Sequence, residues 1–404
     1  MRNKNASLLF IFVTILIDVI GVGIVIPVMP GLVSQLAHVS ISEASFYSGW
    51  LLFAYASMQF VFSPTMGSLS DRFGRRPVLL FSLLGLGVDY LIMAFAPDIT
   101  WLFVGRIFAG IMGASFTTAA AYIADISPPE KRAQSFGMVG VAFGVGFIIG
   151  PLLGSIFCKW GLRVPFYFAS SLSLINFLYG LFILPESLAP ENRRAWDIKR
   201  ANPLGALHQI SKYPVVKAFI LPLVLLYIAQ HAVHSNWNYY TMYKFKWDES
   251  EVGFSLAFVG VVVALVQGGL IRIAIPKLGN AKAVIYGMTF TAAGYLLFAF
   301  AGKSWMMYAI VVPYALGGIA GPAIQGIMSN QTPPDSQGEL QGIMTSLLSL
   351  TSVIGPLLMN YIFGIFTTGK SFVVFPGAPM LTAAALSLVA VVVVSRSLSG
   401  IKTS

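Results

Sequence analysis

Residues 71–96 read DRFGRRPVLLFSLLGLGVDYLIMAFA, and residues 276–301, 205 positions further on, read PKLGNAKAVIYGMTFTAAGYLLFAFA. Gly74 falls on Gly279, Tyr90 on Tyr295 and Ala96 on Ala301. The same shift lays Gly113 on Gly318, Pro128-Pro129 on Pro333-Pro334, and Gly150-Pro151-Leu152-Leu153 on Gly355-Pro356-Leu357-Leu358. Chance supplies one Gly–Pro coincidence in an apolar sequence, not five features at one offset. The chain of 404 residues is a duplication whose unit is close to half its length.

Each copy is made of apolar spans. Hydrophobic residues are 57% of the chain and charged residues only 10%, whereas charged residues make up about a quarter of a soluble globular protein. A soluble fold has nowhere to put that much apolar surface. Segments long enough to cross a bilayer, roughly 20 residues each, lie near 7–33, 46–67, 78–96, 100–124, 134–157 and 164–184, then near 215–238, 252–275, 282–301, 304–328, 340–366 and 373–395. Barrel strands are about 10 residues long and alternate in polarity; these segments do neither. Each span satisfies its backbone internally as a helix. The expected fold is an all-α membrane protein of twelve transmembrane helices in two pseudo-symmetric six-helix bundles, residues 1–184 and 214–404, with a cytoplasmic linker at 185–213. In the linker, Pro203, Leu204, Leu207 and Ile210 fit either a short surface helix or a solvated connection. Two parallel repeats of this kind are a transporter architecture, with substrate held between them near mid-membrane.

The net charge of +10 comes from 25 Lys and Arg against 15 Asp and Glu. Such an excess raises nucleic acid as a partner in a soluble protein, but here it follows topology. With the N-terminus inside, 18 basic residues fall on the cytoplasmic side and six outside, the bias expected for cytoplasmic termini. The lipid bilayer, and not nucleic acid, is the expected partner. The single cysteine, Cys158, excludes an internal disulfide and a Cys-rich metal site. Arg2 and Lys4 precede an apolar stretch too long for a cleavable signal. No Ser/His/Asp set, phosphate loop or metal cluster stands outside the membrane, so neither an enzyme nor a resident cofactor or metal is expected.

Ionisable residues inside spans are costly and are read first as functional. Asp18 sits midway along the first span, Asp89 in the third and Arg106 in the fourth. Each suits either a structural ion pair or a coupling role. A guanidinium cannot lose its proton, and a carboxylate held between burial and a nearby cation can bind and release one. Pro27 and Pro30 after Gly21 and Gly23 predict a kink in the first span. The uncharged polar residues Gln59, Gln230, His231, His234, Asn236, Gln267 and Gln325 are candidates for substrate binding or for interhelical hydrogen bonds. Gln230, His231 and His234 share one helix face and suit a proton or substrate site better than a metal. The run Trp237, Tyr239, Tyr240, Tyr243 and Trp247 marks the outer membrane interface.

The segment GSLSDRFGRR, with Gly67, Asp71, Arg72, Gly74, Arg75 and Arg76 in the turn between spans two and three, resembles the loop signature of the major facilitator superfamily. Asp125 and Arg132, in DISPPEKR, resemble its companion, and Arg106 matches the arginine of the family's fourth span. Gly140, Gly144, Gly146, Gly150, Pro151 and Gly154 resemble the fifth-span motif associated with drug/proton exporters. The chain as a whole, in LIDVIGVGIVIPVMPGL, YASMQF, LQGIMTSLLSLTSVIGPLL and LPES among other runs, resembles the tetracycline-resistance branch of proton-coupled antiporters. That resemblance implies export of a small molecule across the inner membrane by alternating access, with protons as the coupling ion and a single chain as the working unit. It implies coupling roles for Asp18, Asp89 and Arg106, and a substrate contact at Gln59. Two positions depart from the branch. Thr291 stands where its ninth span carries an acid, and Val263 where its eighth carries a histidine; residues 252–334 hold no Asp or Glu. The antiporter class therefore transfers better than tetracycline as substrate. An importer or facilitator of a metabolite or siderophore-like metal chelate is the alternative.

Overall fold

The structure is a computed structural model, and it describes residues 4–113, 115–127, 132–193, 214–332 and 337–400. Most of the linker, including its apolar stripe, lies outside the described residues, which form helices and no strand. In the first repeat the helices are α1 (Lys4–Val25), α2 (Met29–Ala37), α3 (Ile41–Phe73), α4 (Arg75–Phe95), α5 (Ile99–Met112), α6 (Ser115–Ile126), α7 (Arg132–Phe157) and α8 (Val164–Ile183). In the second they are α9 (Pro214–His234), α10 (Trp237–Phe245), α11 (Glu249–Leu265), α12 (Ile271–Phe300), α13 (Ser304–Leu316), α14 (Ala320–Asn330), α15 (Gln337–Thr367) and α16 (Ala378–Gly400).

Ten stretches among the described residues are long and apolar enough to cross a membrane. One of them, Glu249–Phe300, takes in two of the spans read from the sequence. The helix Ile41–Phe73 is 33 residues long and supplies another, which accounts for the twelve. Helix starts follow local chemistry. The Ser40 backbone N–H donates to Glu43 Oε2 at 3.0 Å and the Glu43 N–H returns to Ser40 Oγ at 3.3 Å, a capping box that opens α3. Asp248 and Glu251 make the reciprocal pair that opens α11, at 3.0 and 2.7 Å.

The repeat is carried down to single backbone angles. Gly74 has φ +104° and ψ 157°, and Gly279 has φ +74° and ψ 158°; only glycine takes such a conformation without strain. Ala96 and Ala301 close their helices at φ −50°, ψ 119° and φ −56°, ψ 117°, each donating its N–H to a carbonyl three residues back, on Met93 and Phe298. The fourth span of each copy is broken at one place, between α5 and α6 at Gly113 and at the 3-10 turn Gly317–Ile319. The first span also breaks, at the 3-10 turn Ile26–Val28 holding Pro27.

Two compact units emerge from the packing: Met1–Val39, Ala54–Pro203 and Asp248–Ala257 form one, and Ser40–Phe53, Leu204–Trp247 and Phe258–Ser404 the other. In the first unit α1 packs on α7 and α8, and α4 on α8; its core joins Phe10, Ile11, Ile15 and Val19 to Leu79, Tyr122, Ile123 and Ala142. In the second, α9 packs on α15 and α16, and α12 on α16, around Phe219, Leu223, Val284, Met288, Met328, Ile343 and Val394. Each unit thus pairs equivalent helices of the repeat.

Candidate transport and coupling site

The ionisable residues of the first unit's interior stand on three helices. Asp18 is on α1, and its Oδ1 is buried with no hydrogen-bond partner among the described residues. Gly21, one turn on, leaves room for the Tyr90 ring against α1. Asp89, fully buried on α4, accepts a hydrogen bond from Arg106 Nη2 of α5 at 2.6 Å. The same nitrogen lies 3.0 Å from Met93 Sδ, and the guanidinium carbon sits 5.7 Å from the centroid of the Tyr55 ring on α3, within cation–π range. Asp89 Oδ1 and Arg106 Nε are buried without partners, so the pair is incompletely satisfied. Arg106 is therefore paired with Asp89 and not with Asp18, which forms no ion pair among the described residues. Gln59, on the face of α3 that carries Tyr55, donates Nε2 to Gly113 O at 3.2 Å and to Tyr55 Oη at 3.4 Å.

At the turn between α3 and α4, Arg75 is the hub. Its guanidinium donates to Asp71 at 2.5 Å, Ser70 Oγ at 2.7 Å and Asp125 at 3.2 Å. Arg76 Nη2 donates to Leu181 O at 2.7 Å. Arg72 lies over its neighbour's ring, Phe73, at 5.1 Å and outside the network. Gly67 stands open, with nothing near its Cα side. The Arg132 side chain lies outside the described residues. Glu186, which sequence reading quoted in LPES without giving it a role, accepts backbone N–H bonds from Arg75 and Arg76 at 2.9 and 3.3 Å and from Ser187 and Leu188 at 3.0 Å. It is the acidic cap that the helix dipole of α4 favours. Glu186→Ala is expected to lower stability by roughly 0.5–2 kcal/mol, the size of a lost cap, read as a lower Tm in detergent; Glu186→Gln, which keeps one acceptor oxygen, should lose less.

The fifth-span glycines divide by environment. Gly146, Gly150 and Gly154 face α1 at Val19, Gly23 and Ile24–Pro27, whereas Gly140 and Gly144 have nothing within 4 Å of a Cβ position. A Cβ would meet Ile24 O at Gly154 and would stand 2.7 Å from Gly23 Cα at Gly150, close packing of the small-residue kind. Pro151 lies inside α7 without ending it. Gly150→Ala is expected to force α1 and α7 apart at about 1–3 kcal/mol, the cost of overpacking; Gly144→Ala is the matched control that thermal unfolding should leave unchanged.

In the second unit the polar candidates do not gather into one group. The His231 and His234 rings are perpendicular with centroids 6.3 Å apart, and His231 packs on Gly355. Gln230 is half-buried beside them, while Gln267 is exposed in the π turn Val266–Leu270. Gln325, also exposed, donates to Gln341 at 3.4 Å. Asn236 is fully buried and donates to Asn360 Oδ1 at 3.0 Å. Ser48 and Tyr239 share a short hydrogen bond. Of the aromatic run expected at the interface, Trp237, Tyr239, Tyr240 and Trp247 are buried. The hydrophobic spacing of α9 and α10 had not distinguished a lipid-facing belt from a packed one. Thr291 donates to Gly287 O of its own helix at 3.1 Å and packs on Gly317, and Val263 packs against the apolar core. Among the described residues no group of three or more His, Cys, Asp or Glu side chains is placed to hold a metal.

A repeated helical bundle with apolar spans, broken helices and a buried charge cluster defines a multi-pass membrane transporter. The Major Facilitator Superfamily profile matches residues 11–277 and 236–402, and the chain belongs to that superfamily. It is 41% identical over 363 residues to the tetracycline resistance protein, class C, of Escherichia coli, covering 90% of this chain and 91% of that protein. With the class B protein of Escherichia coli it shares 34% identity over 362 residues and 89% of each chain. Among solved structures it superposes on the human organic anion transporter MFSD10 with a TM-score of 0.72 at 21% identity, over 98% of this chain and 100% of that one. A bacterial homologue of the human lysosomal transporter Spinster, inward-facing and occupied, gives 0.78 at 14% identity, over 99% and 98%. At those identities the likeness is one of fold.

Proposed function

We propose that this transporter is a proton-driven antiporter that exports a drug-like or metabolite solute across the inner membrane by alternating access, with both termini in the cytoplasm. The observation that carries this reading is Asp18, half-buried within a span, whose buried Oδ1 has no partner among the described residues, while Arg106 is already paired with Asp89. An uncompensated carboxylate in an apolar span exchanges a proton more readily than one locked to a guanidinium. The similarity to tetracycline resistance proteins over about nine-tenths of the chain supports a drug-like substrate. Thr291 and Val263, serving helix packing, favour a substrate that needs no second acidic or imidazole group from spans eight and nine.

The test is proton movement in proteoliposomes with the purified chain. Adding tetracycline–Mg²⁺, amphipathic drugs or metal chelates to one side should drive counter-movement of protons for at least one of these classes. Substrate counterflow without any proton movement would instead establish the facilitator.

A further inference from the structure

Tyr55 was not among the residues singled out from the sequence, yet it stands between the charge cluster and the break in the fourth span. Its ring carries the Arg106 guanidinium at 5.7 Å, and its hydroxyl accepts from Gln59 Nε2 at 3.4 Å. That amide also donates to Gly113 O at 3.2 Å, at the residue where α5 gives way to α6. Asp89, Arg106, Tyr55, Gln59 and Gly113 thus form a continuous line of contacts from a buried carboxylate to a helix hinge.

The second repeat is an internal control. At the same offset of 205, Asp89 becomes Gly294, Arg106 becomes Val311, Tyr55 becomes Gly260 and Gln59 becomes Ala264. The break is kept there, at Gly317–Ile319, with Thr291 packed against it. A break in the fourth span therefore does not need this line of side chains in order to form. Its presence in one copy alone points to control of the break.

We propose that Tyr55 is a positioning residue through which the charge state of the Asp89–Arg106 pair sets the geometry of the Gly113 break. The proposal rests on the proton-coupled reading above. With Asp89 ionised, the charge-assisted bond holds Arg106 against α4 and within cation–π range of the Tyr55 ring. A proton taken up from water by the Asp89 carboxylate weakens that bond. Arg106 and the ring then shift together, the Tyr55 hydroxyl leaves Gln59, and Gly113 O is released. Among the described residues, Tyr55 on α3 and Tyr90 on α4 interact electrostatically with Asp89 and Arg106, and both also feel Asp18 on α1. From α8, Ser170 and Ser173 bond to backbone carbonyls of α4 and bring no charge.

The experiment uses the full chain in nanodiscs, with Cys158→Ser and nitroxide labels at Thr100→Cys and Ala124→Cys, one near each end of the fourth span. Pulsed electron resonance then reads the distance across the break in acidic and alkaline buffer. The expected result is a shift between the two buffers in the otherwise wild-type chain. Asp89→Asn should hold the acid-side distribution in both. Tyr55→Phe, which keeps the ring over Arg106 but lacks the hydroxyl, and Gln59→Leu should each remove the shift in chains that still purify as folded protein. A wild-type shift in both variants, or no shift in the wild type, overturns the proposal. Proton uptake measured in parallel separates the two readings. Intact uptake with unaffected variants sinks the linkage alone, whereas a lost shift in the variants without any substrate-driven uptake leaves the linkage and sinks the proton reading.

Discussion

Asp18→Asn is expected to leave the protein folded and to abolish substrate-driven proton movement. The substitution is nearly isosteric, and Asp18 Oδ1 has no hydrogen-bond partner to lose. Stability should therefore change little, and thermal unfolding should overlay that of the wild type. Coupling should not survive. A free energy linking two ligands is typically about 1–3 kcal/mol, or roughly 5–150-fold in affinity, and here one of the ligands is the proton. Removing the group that binds it should flatten the pH dependence of substrate affinity by a factor of that order. Proton uptake on substrate addition should fall to that of empty liposomes. An asparagine variant that still transports against a pH gradient as the wild type does would reassign coupling away from Asp18.

The second large effect is expected at the Asp89–Arg106 pair, and it is an effect on stability first. Arg106→Gln leaves a fully buried carboxylate without its cation. Breaking a buried pair from one side costs about 3–5 kcal/mol, because an uncompensated charge stays in the low-dielectric interior. Asp89→Asn strands the guanidinium instead, although the Tyr55 ring and Met93 Sδ still face it, so its cost should be smaller. The double variant Asp89→Asn with Arg106→Gln removes both charges and should recover most of the lost Tm. Transport should not recover, since the pair's charge state is gone. Strict additivity of the two single losses would mean that the 2.6 Å contact carries no coupling energy.

The repeat, the helical class and the membrane setting were legible without coordinates because they follow from periodic and additive properties. Span length, apolar content and a constant offset need no knowledge of packing. Gly74 and Gly279 illustrate this well. Their shared position in the repeat reappears as the same positive-φ backbone. Asp18, Asp89 and Arg106 were also visible singly, because charge inside an apolar span is conspicuous. Their partners were not. A choice between Asp18 and Asp89 for Arg106 depends on which helices cross and at what height, and sequence spacing is silent on that. Glu186 was missed for the same reason: it lies 111 residues from the backbone N–H of Arg75 that it caps. Tyr55 was hidden by being one aromatic among many in an apolar helix.

By itself, the sequence determined a duplicated, twelve-span helical membrane protein whose in-span charges Asp18, Asp89 and Arg106 all lie in the first copy. These outcomes are set by local hydropathy and by a repeat that any alignment of the two halves exposes. Only the tertiary structure decided that Arg106 belongs to Asp89 and that Asp18 forms no ion pair among the described residues. It also decided that three of the five fifth-span motif glycines serve a helix crossing, and that a tyrosine joins the charge cluster to the broken fourth span. The physical reason is range. Hydrogen bonds, ion pairs and ring contacts act over a few ångströms, and the residues that meet at those distances here are up to 315 positions apart in the chain.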